Sequence, residues 1–208
     1  EWKYVKECLD SGWVSSVGSY VNRFEQELAR YCGVKYAVAA VNGTSALHLS
    51  LLACGVADGD EVIVPTLTFI APVNAVRYCG AFPVFMDCDP DTLCLSVEKC
   101  AEFLDRNTAK RKDGFSYNTH SKRRIKAIIP VHIFGHPVAM DSLRVICRKA
   151  NIAVIEDATE SLGSEYLGRK TGSFGAAGCL SFNGNKIITT GGGGMIVTDS
   201  PSIAKKAR

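Results

Sequence analysis

The chain reads as an α/β protein, a mostly parallel sheet covered by helices on both faces. Three observations predict this. Short apolar runs alternate along the chain with segments of helical periodicity. The apolar runs are continuous rather than polar-alternating, as in strands buried on both sides. Polar and special residues gather where those runs end, the edge at which open α/β sheets bind ligands.

The elements follow in order. Trp2, Val5 and Leu9 recur at helical spacing within residues 1–10, and Val21, Phe24, Leu28 and Tyr31 repeat the stripe. Tyr36 to Val41 is an apolar strand, followed by a helix from Thr44 to Ala53 that stops at Gly55. A strand at Glu61 to Val64 precedes a helix from Ile70 to Cys79, ended by Gly80. Pro83 to Met86 is the next strand, and Ser96 is placed to cap a helix running to Leu104. Ile125 to Val131 is a strand and Ala139 to Ala150 a helix. Strands at Ala153 to Ile155, Cys179 to Phe182 and Met195 to Val197 complete the set. We expect an N-terminal helical segment over residues 1–31 and a cofactor-type large domain over 32–208.

Composition narrows the function. With 208 residues, 47% hydrophobic and 22% charged, the chain suits one globular domain or slightly more. A net charge of +3 is too small to argue for nucleic acid. The basic clusters Lys110–Lys112 and Lys122–Arg124 flank polar residues and read as a solvated loop. No apolar run approaches the ~20 residues needed to cross a bilayer. Nine cysteines, scattered among apolar neighbours and without a C-x-x-C pair, read as free thiols in a reducing cytoplasm. Cys88, Cys94 and Cys100 are evenly spaced, but no histidine pattern joins them into a metal site. Both ends fall inside helical patterns, so a piece of a longer protein is expected.

The strand ends carry the chemistry. Asn42, Gly43, Thr44 and Ser45 open a helix, whose free N–H groups suit a phosphate; a plain helix cap has the same appearance. Phe69 is available either for core packing or for stacking on a ligand. His132 and His136 stand without acidic or cysteine ligands at metal-like spacing and read as structural. Asp157 follows three apolar residues, so its carboxylate should be partly dry and need a partner: an ion pair, a cap or a ligand. Glu160 reads equally as a solvated surface acid. Ser181 ends an apolar run, and a polar turn then delivers Lys186 ahead of Gly191–Gly194. A lysine so placed is a candidate Schiff-base nucleophile, although an isolated lysine is usually a surface residue. Four consecutive glycines suggest a place where a side chain would obstruct something.

A phosphate cradle, a lone acid, an aromatic and such a lysine together suggest pyridoxal 5′-phosphate. Here the sequence resembles the nucleotide-sugar aminotransferases of the DegT/DnrJ/EryC1/StrS type. The matching stretches are 12–18 with Phe24 and Glu25, Asn42–His48, Gly59–Thr66, Val131–His136, Ile155–Ser161, and Ser181–Lys186 with the glycines. They span nearly the whole chain in order.

The resemblance implies a fold type I large domain, without the smaller C-terminal domain of such enzymes, and a homodimer. Lys186 takes the position of the Schiff-base lysine and Asp157 that of the carboxylate holding the pyridine nitrogen protonated. Phe69 falls where an aromatic stacks on the ring; Thr44, Ser45 and Ser181, with Gly43, fall at the phosphate. Glu160 stands where the family usually has His or Gln near the ring hydroxyl. Glu160 and the wording of residues 183–188 resemble the branch acting on nucleotide-linked 4-keto-6-deoxy N-acetylhexosamines in legionaminic-type (nonulosonic) acid synthesis. The implied reaction moves an amino group from L-glutamate, the donor the resemblance implies, to a keto carbon of a nucleotide-linked sugar. A dehydratase of the same family would carry His in place of Lys186. A non-catalytic cofactor- or sugar-sensing regulator would need an appended DNA-binding or membrane segment, and none is visible.

Overall fold

A computed structural model describes every residue from Glu1 to Arg208. Two helices, α1 (Trp2–Ser11) and α2 (Ser19–Cys32), precede the first strand, β1 (Tyr36–Ala40). The chain continues through α3 (Gly43–Ala53), β2 (Glu61–Pro65), α4 (Ile70–Tyr78), β3 (Phe82–Met86) and α5 (Val97–Arg106). After β4 (Thr108–Lys110) and β5 (Ser116–Asn118) come β6 (Ile125–Ile128), α6 (Met140–Ala150) and β7 (Ala153–Asp157). The last elements are β8 (Glu165–Tyr166), β9 (Arg169–Lys170), β10 (Ala177–Ser181), β11 (Gly194–Thr198) and α7 (Pro201–Ala207).

Seven strands form one sheet in the order β1-β11-β10-β7-β6-β2-β3. Only β11 runs against its neighbours; the other pairings are parallel. All seven strands read from the sequence are in this sheet, with ends shifted by a few residues. The alternation of side chains shows why both faces are apolar. Val38, Cys179 and Ile196 join the main core beneath α3, whereas Ala37, Leu180, Met195 and Val197 form a second cluster with Leu28, Ala29 and Cys32 of α2. Ser96 caps α5 as expected, its hydroxyl accepting the Lys99 N–H at 3.2 Å. No helix is long and apolar enough to cross a membrane, and all nine cysteines are free.

Three differences from the sequence reading have physical causes. The basic segment is solvated at Lys110–Lys112 and Lys122, as expected, but it is built as the β4–β5 hairpin and its return rather than as a plain loop. Arg111 lies 3.8 Å over the Tyr117 ring and Arg123 3.6 Å over Phe82. Arg124 holds the nearly buried Asp60 through two bonds of 2.8 and 2.6 Å. Planar guanidinium groups thus cover apolar rings that the loop reading left unaccounted for. The β8–β9 hairpin was also not foreseen. Its turn, Leu167-Gly168, has two positive φ values, 49° and 75°, the backbone that matches strand twist. Finally, α1 buries none of its residues, and Trp2, Val5 and Leu9 all face outward. Periodicity found the helix but could not say what covers it.

Candidate active site

The parallel strands β10, β7, β6 and β2 are adjacent, so the segments leaving their carboxyl ends lie side by side. Ser181 leaves β10, Asp157 to Glu160 leave β7, His132 and Phe134 follow β6, and Thr66 to Phe69 leave β2. The start of α3 overhangs the same edge. A Cβ at Gly43 would lie 3.0 Å from both the Ser181 Cβ and the Thr159 methyl. A cleft results. Its outer part is lined by Gly43, Thr44, Phe69, Glu160, Ser181 and Lys186. Its inner part is lined by Phe69, Thr68, His132, Phe134, Asp157 and Glu160.

Asn42 caps α3 through Oδ1, which accepts the Ser45 N–H at 2.8 Å. The N–H groups of Gly43 and Thr44 have no acceptor in the protein. Both readings of this segment therefore hold at once: it is a cap, and it leaves two donors at a positive helix end. Ser45, its N–H used by the cap, does not line the cleft.

The glycine run resolves into distinct requirements. A Cβ at Gly194 would sit 2.3 Å from the Asn42 carbonyl oxygen, and one at Gly193 would sit 2.4 Å from the Thr190 hydroxyl. Gly191 has φ 83°, and Gly192 has open space around it. Gly194 thus lets β11 pass directly beneath the α3 N-terminus.

Lys186 is presented by a turn in which its N–H bonds the Asn183 carbonyl at 3.0 Å. Its Nζ stands 3.3 Å from Glu160 Oε1. The other Glu160 oxygen accepts the Phe134 N–H at 3.4 Å. Glu160 is therefore not a free surface acid. Phe69 is 74% exposed, which decides against core packing and leaves its ring over the cleft.

Asp157 is 4% exposed and has no ion-pair partner within 4 Å. Burial pushes its carboxyl above the usual carboxylate range. Hydrogen bonds from Thr159, and the positions of His132 and Lys186, offset this in part. The Thr159 N–H meets Asp157 Oδ1 at 3.1 Å. Its neighbour Glu156 faces a different role. Fully buried, it accepts N–H bonds from Gly172 (2.8 Å), Phe174 (2.7 Å) and Gly175 (2.6 Å). His132 Nε2 completes the set at 2.9 Å. The Val138 N–H meets His132 Nδ1 at 3.1 Å, so the ring faces Glu156 with Nε2. His132 is structural, as its sequence context suggested.

Sequence reasoning missed Thr68 and Thr159. The Thr68 hydroxyl is closed off from solvent and has no partner. Thr159 had a legible signal, because an Asp side chain commonly accepts the N–H two residues on. Glu156 carried no signal beyond its place in an apolar run.

These groups fit pyridoxal 5′-phosphate. A buried carboxylate without a cation suits a pyridinium, and two unpaired N–H groups at a helix start suit a phosphate. The close approaches at Gly43 and Gly194 keep that cradle open, and Lys186 lines the part of the cleft beside it. His132, Glu156 and Asp157 are not joined into any metal-type cluster.

The model of the DegT/DnrJ/EryC1/StrS aminotransferase family matches residues 1–208. The chain is 48% identical over 208 residues to a GDP-perosamine synthase of Caulobacter vibrioides, covering 100% of this chain and 52% of that protein. It is 45% identical over 203 residues to the GDP-perosamine synthase of Escherichia coli O157:H7, covering 98% and 51%. An aminotransferase structure from Psychrobacter cryohalolentis superposes with a TM-score of 0.85 at 37% identity, over 98% of this chain and 48% of that one. The chain thus spans about half the length of the relatives it matches. On its sequence, its fold and the content of its cleft, it belongs to the DegT/DnrJ/EryC1/StrS aminotransferase family.

Proposed function

We propose that the protein works as a pyridoxal-phosphate-dependent aminotransferase that passes an amino group from an amino acid, L-glutamate, to a keto carbon of a nucleotide-linked deoxy sugar. The observation that carries this reading is that Lys186, the buried Asp157 and a helix start with two free N–H groups line one cleft. The bound cofactor supplies the electron sink. Asp157 keeps the ring cationic, Gly43, Thr44 and Ser181 hold the phosphate, and Phe69 covers one ring face and excludes water. With the cofactor bound, the Lys186 amine would be placed to take and return a proton at the reacting carbon.

For the sugar we favour a GDP-linked 4-keto-6-deoxyhexose, since relatives alike over nearly the whole chain are named GDP-perosamine synthase. The Glu160-based suggestion of a legionaminic-type substrate finds no support among those names. Lys186, rather than His, at the Schiff-base position favours amination over dehydration. We also propose a homodimer, consistent with the exposed apolar face of α1, acting in the cytoplasm. The test supplies cofactor-loaded protein with L-glutamate and either GDP-4-keto-6-deoxymannose or a UDP-linked 4-keto-6-deoxy N-acetylhexosamine. Mass spectrometry should find the amino sugar only from the first. Amination of the second alone would restore the legionaminic-type assignment, and amination of neither would defeat the proposal.

A further inference from the structure

Phe134 lines the inner cleft beside Asp157 and Glu160. Its backbone sits at φ 52° and ψ 22°, and no other non-glycine residue lining the cleft has a positive φ. The left-handed region is unfavourable for a bulky side chain. The ring is also 68% exposed, so little packing offsets that strain. The flanks impose the conformation. His132 and Ile133 are buried, the Gly135 N–H bonds the His132 carbonyl at 3.2 Å, and the His136 N–H bonds that of Ile133 at 2.9 Å. Glu160 Oε2 accepts the Phe134 N–H at 3.4 Å, while its Oε1 stands 3.3 Å from Lys186 Nζ. A single carboxylate thus separates Phe134 from Lys186, so a substrate whose reacting carbon meets Lys186 comes within reach of the ring.

An exposed ring on a strained backbone at a cleft suits a residue whose partner arrives with the ligand. The two substrates of the proposed reaction offer it different surfaces. A deoxy sugar presents a face of C–H groups, which packs on an aromatic ring. L-Glutamate presents two carboxylates, which the electron-rich ring face does not attract. We propose that Phe134 is a specificity residue that packs against the sugar ring of the nucleotide-linked substrate and takes no part in handling the amino donor. The proposal rests on the aminotransferase reading of this cleft.

The test follows the two half-reactions of cofactor-loaded protein separately by the cofactor's visible absorbance, which falls on adding L-glutamate and returns on adding GDP-4-keto-6-deoxymannose. Phe134→Asn removes the ring, and Asn tolerates the left-handed region. Urea unfolding of the ligand-free variant should therefore show it no less stable than unmodified protein. Its kcat/KM for the sugar half-reaction should fall about tenfold, the loss of one aromatic contact, with the glutamate half-reaction within about twofold. Phe134→Tyr should keep both half-reactions near their unmodified rates. Equal losses in both half-reactions, a loss confined to glutamate, or no loss in either would overturn the proposal. So would a Phe134→Asn protein that unfolds more readily or that light scattering shows to have lost self-association, since the ring would then serve the fold or a partner subunit. Absence of either half-reaction in the unmodified protein would instead defeat the aminotransferase reading, and the proposal with it.

Discussion

Replacing Gly194 with alanine tests whether the glycine run exists to let β11 pass under the cofactor cradle. The added Cβ would lie 2.3 Å from the Asn42 oxygen, 2.4 Å from its carbonyl carbon and 2.9 Å from the Gly43 nitrogen. All three are backbone atoms, so no side chain can swing aside. Gly194 itself cannot retreat, since it pairs with Ala40 on one side and Ser181 on the other. The α3 start must move, and with it the Asn42 side chain that holds the Ser45 N–H. Overpacking costs about 1–3 kcal/mol and a weakened cap about 1 kcal/mol. The less flexible unfolded chain returns about 0.4–1 kcal/mol, which leaves a net destabilisation of roughly 1–3 kcal/mol. Urea unfolding of the ligand-free protein reads this directly, and titration with pyridoxal 5′-phosphate should show weaker binding. Gly192→Ala, with nothing within 4 Å, is the matched control and should stay within about 0.5 kcal/mol. A Gly194→Ala variant as stable as that control, with unchanged cofactor affinity, would refute the reasoning.

Lys186→Ala should abolish the borohydride-reducible adduct with the cofactor, and peptide mapping of unmodified protein should find the label on Lys186; a label on Lys149 or Lys170 would contradict the site. Asp157→Asn should stabilise the ligand-free protein at neutral pH while weakening cofactor binding more than Glu160→Gln does. Its raised carboxyl pKa means that the folded state resists ionisation, so its charge opposes folding as pH rises, and the amide removes that opposition. Thermal unfolding without cofactor and cofactor titration measure the two effects, and a less stable Asp157→Asn would reverse the argument. Thr68→Val removes a buried hydroxyl that lacks a partner and should raise ligand-free stability by about 1 kcal/mol in urea unfolding. Burial pushes the Cys100 and Cys147 thiols up to about 12, whereas an unfolded thiol ionises near about 8.5. Their contribution is intact below that value and declines as pH rises towards about 12, by about 1.4 kcal/mol per thiol per pH unit. Denaturant unfolding at pH 8 and pH 10 under reducing conditions should show the loss.

The sheet was legible because its strands are buried on both faces. Runs such as Glu61–Pro65 and Ala177–Ser181 are wholly buried and so wholly apolar or small at their centres. The helices were legible from spacing, and their ends from Ser96, Gly55 and Gly80. Sequence also named most of the cleft, since it lies where strands must hand over to loops, and Lys186, Asp157, Phe69 and Glu160 occupy those handovers. Their alternatives stayed open in the sequence because burial and partnership depend on residues far away in the chain. The exposure of Phe69, the unpaired burial of Asp157 and the pairing of Glu160 with Lys186 exist only once β2, β6, β7 and β10 stand side by side. Thr159 and Glu156 find their neighbours in Gly43 and in residues 172–175, contacts that no local pattern records. The reason is general: local sequence sets backbone preference and which face is apolar, whereas the charge state and aim of a buried group are set by the donors and walls that distant segments bring to it.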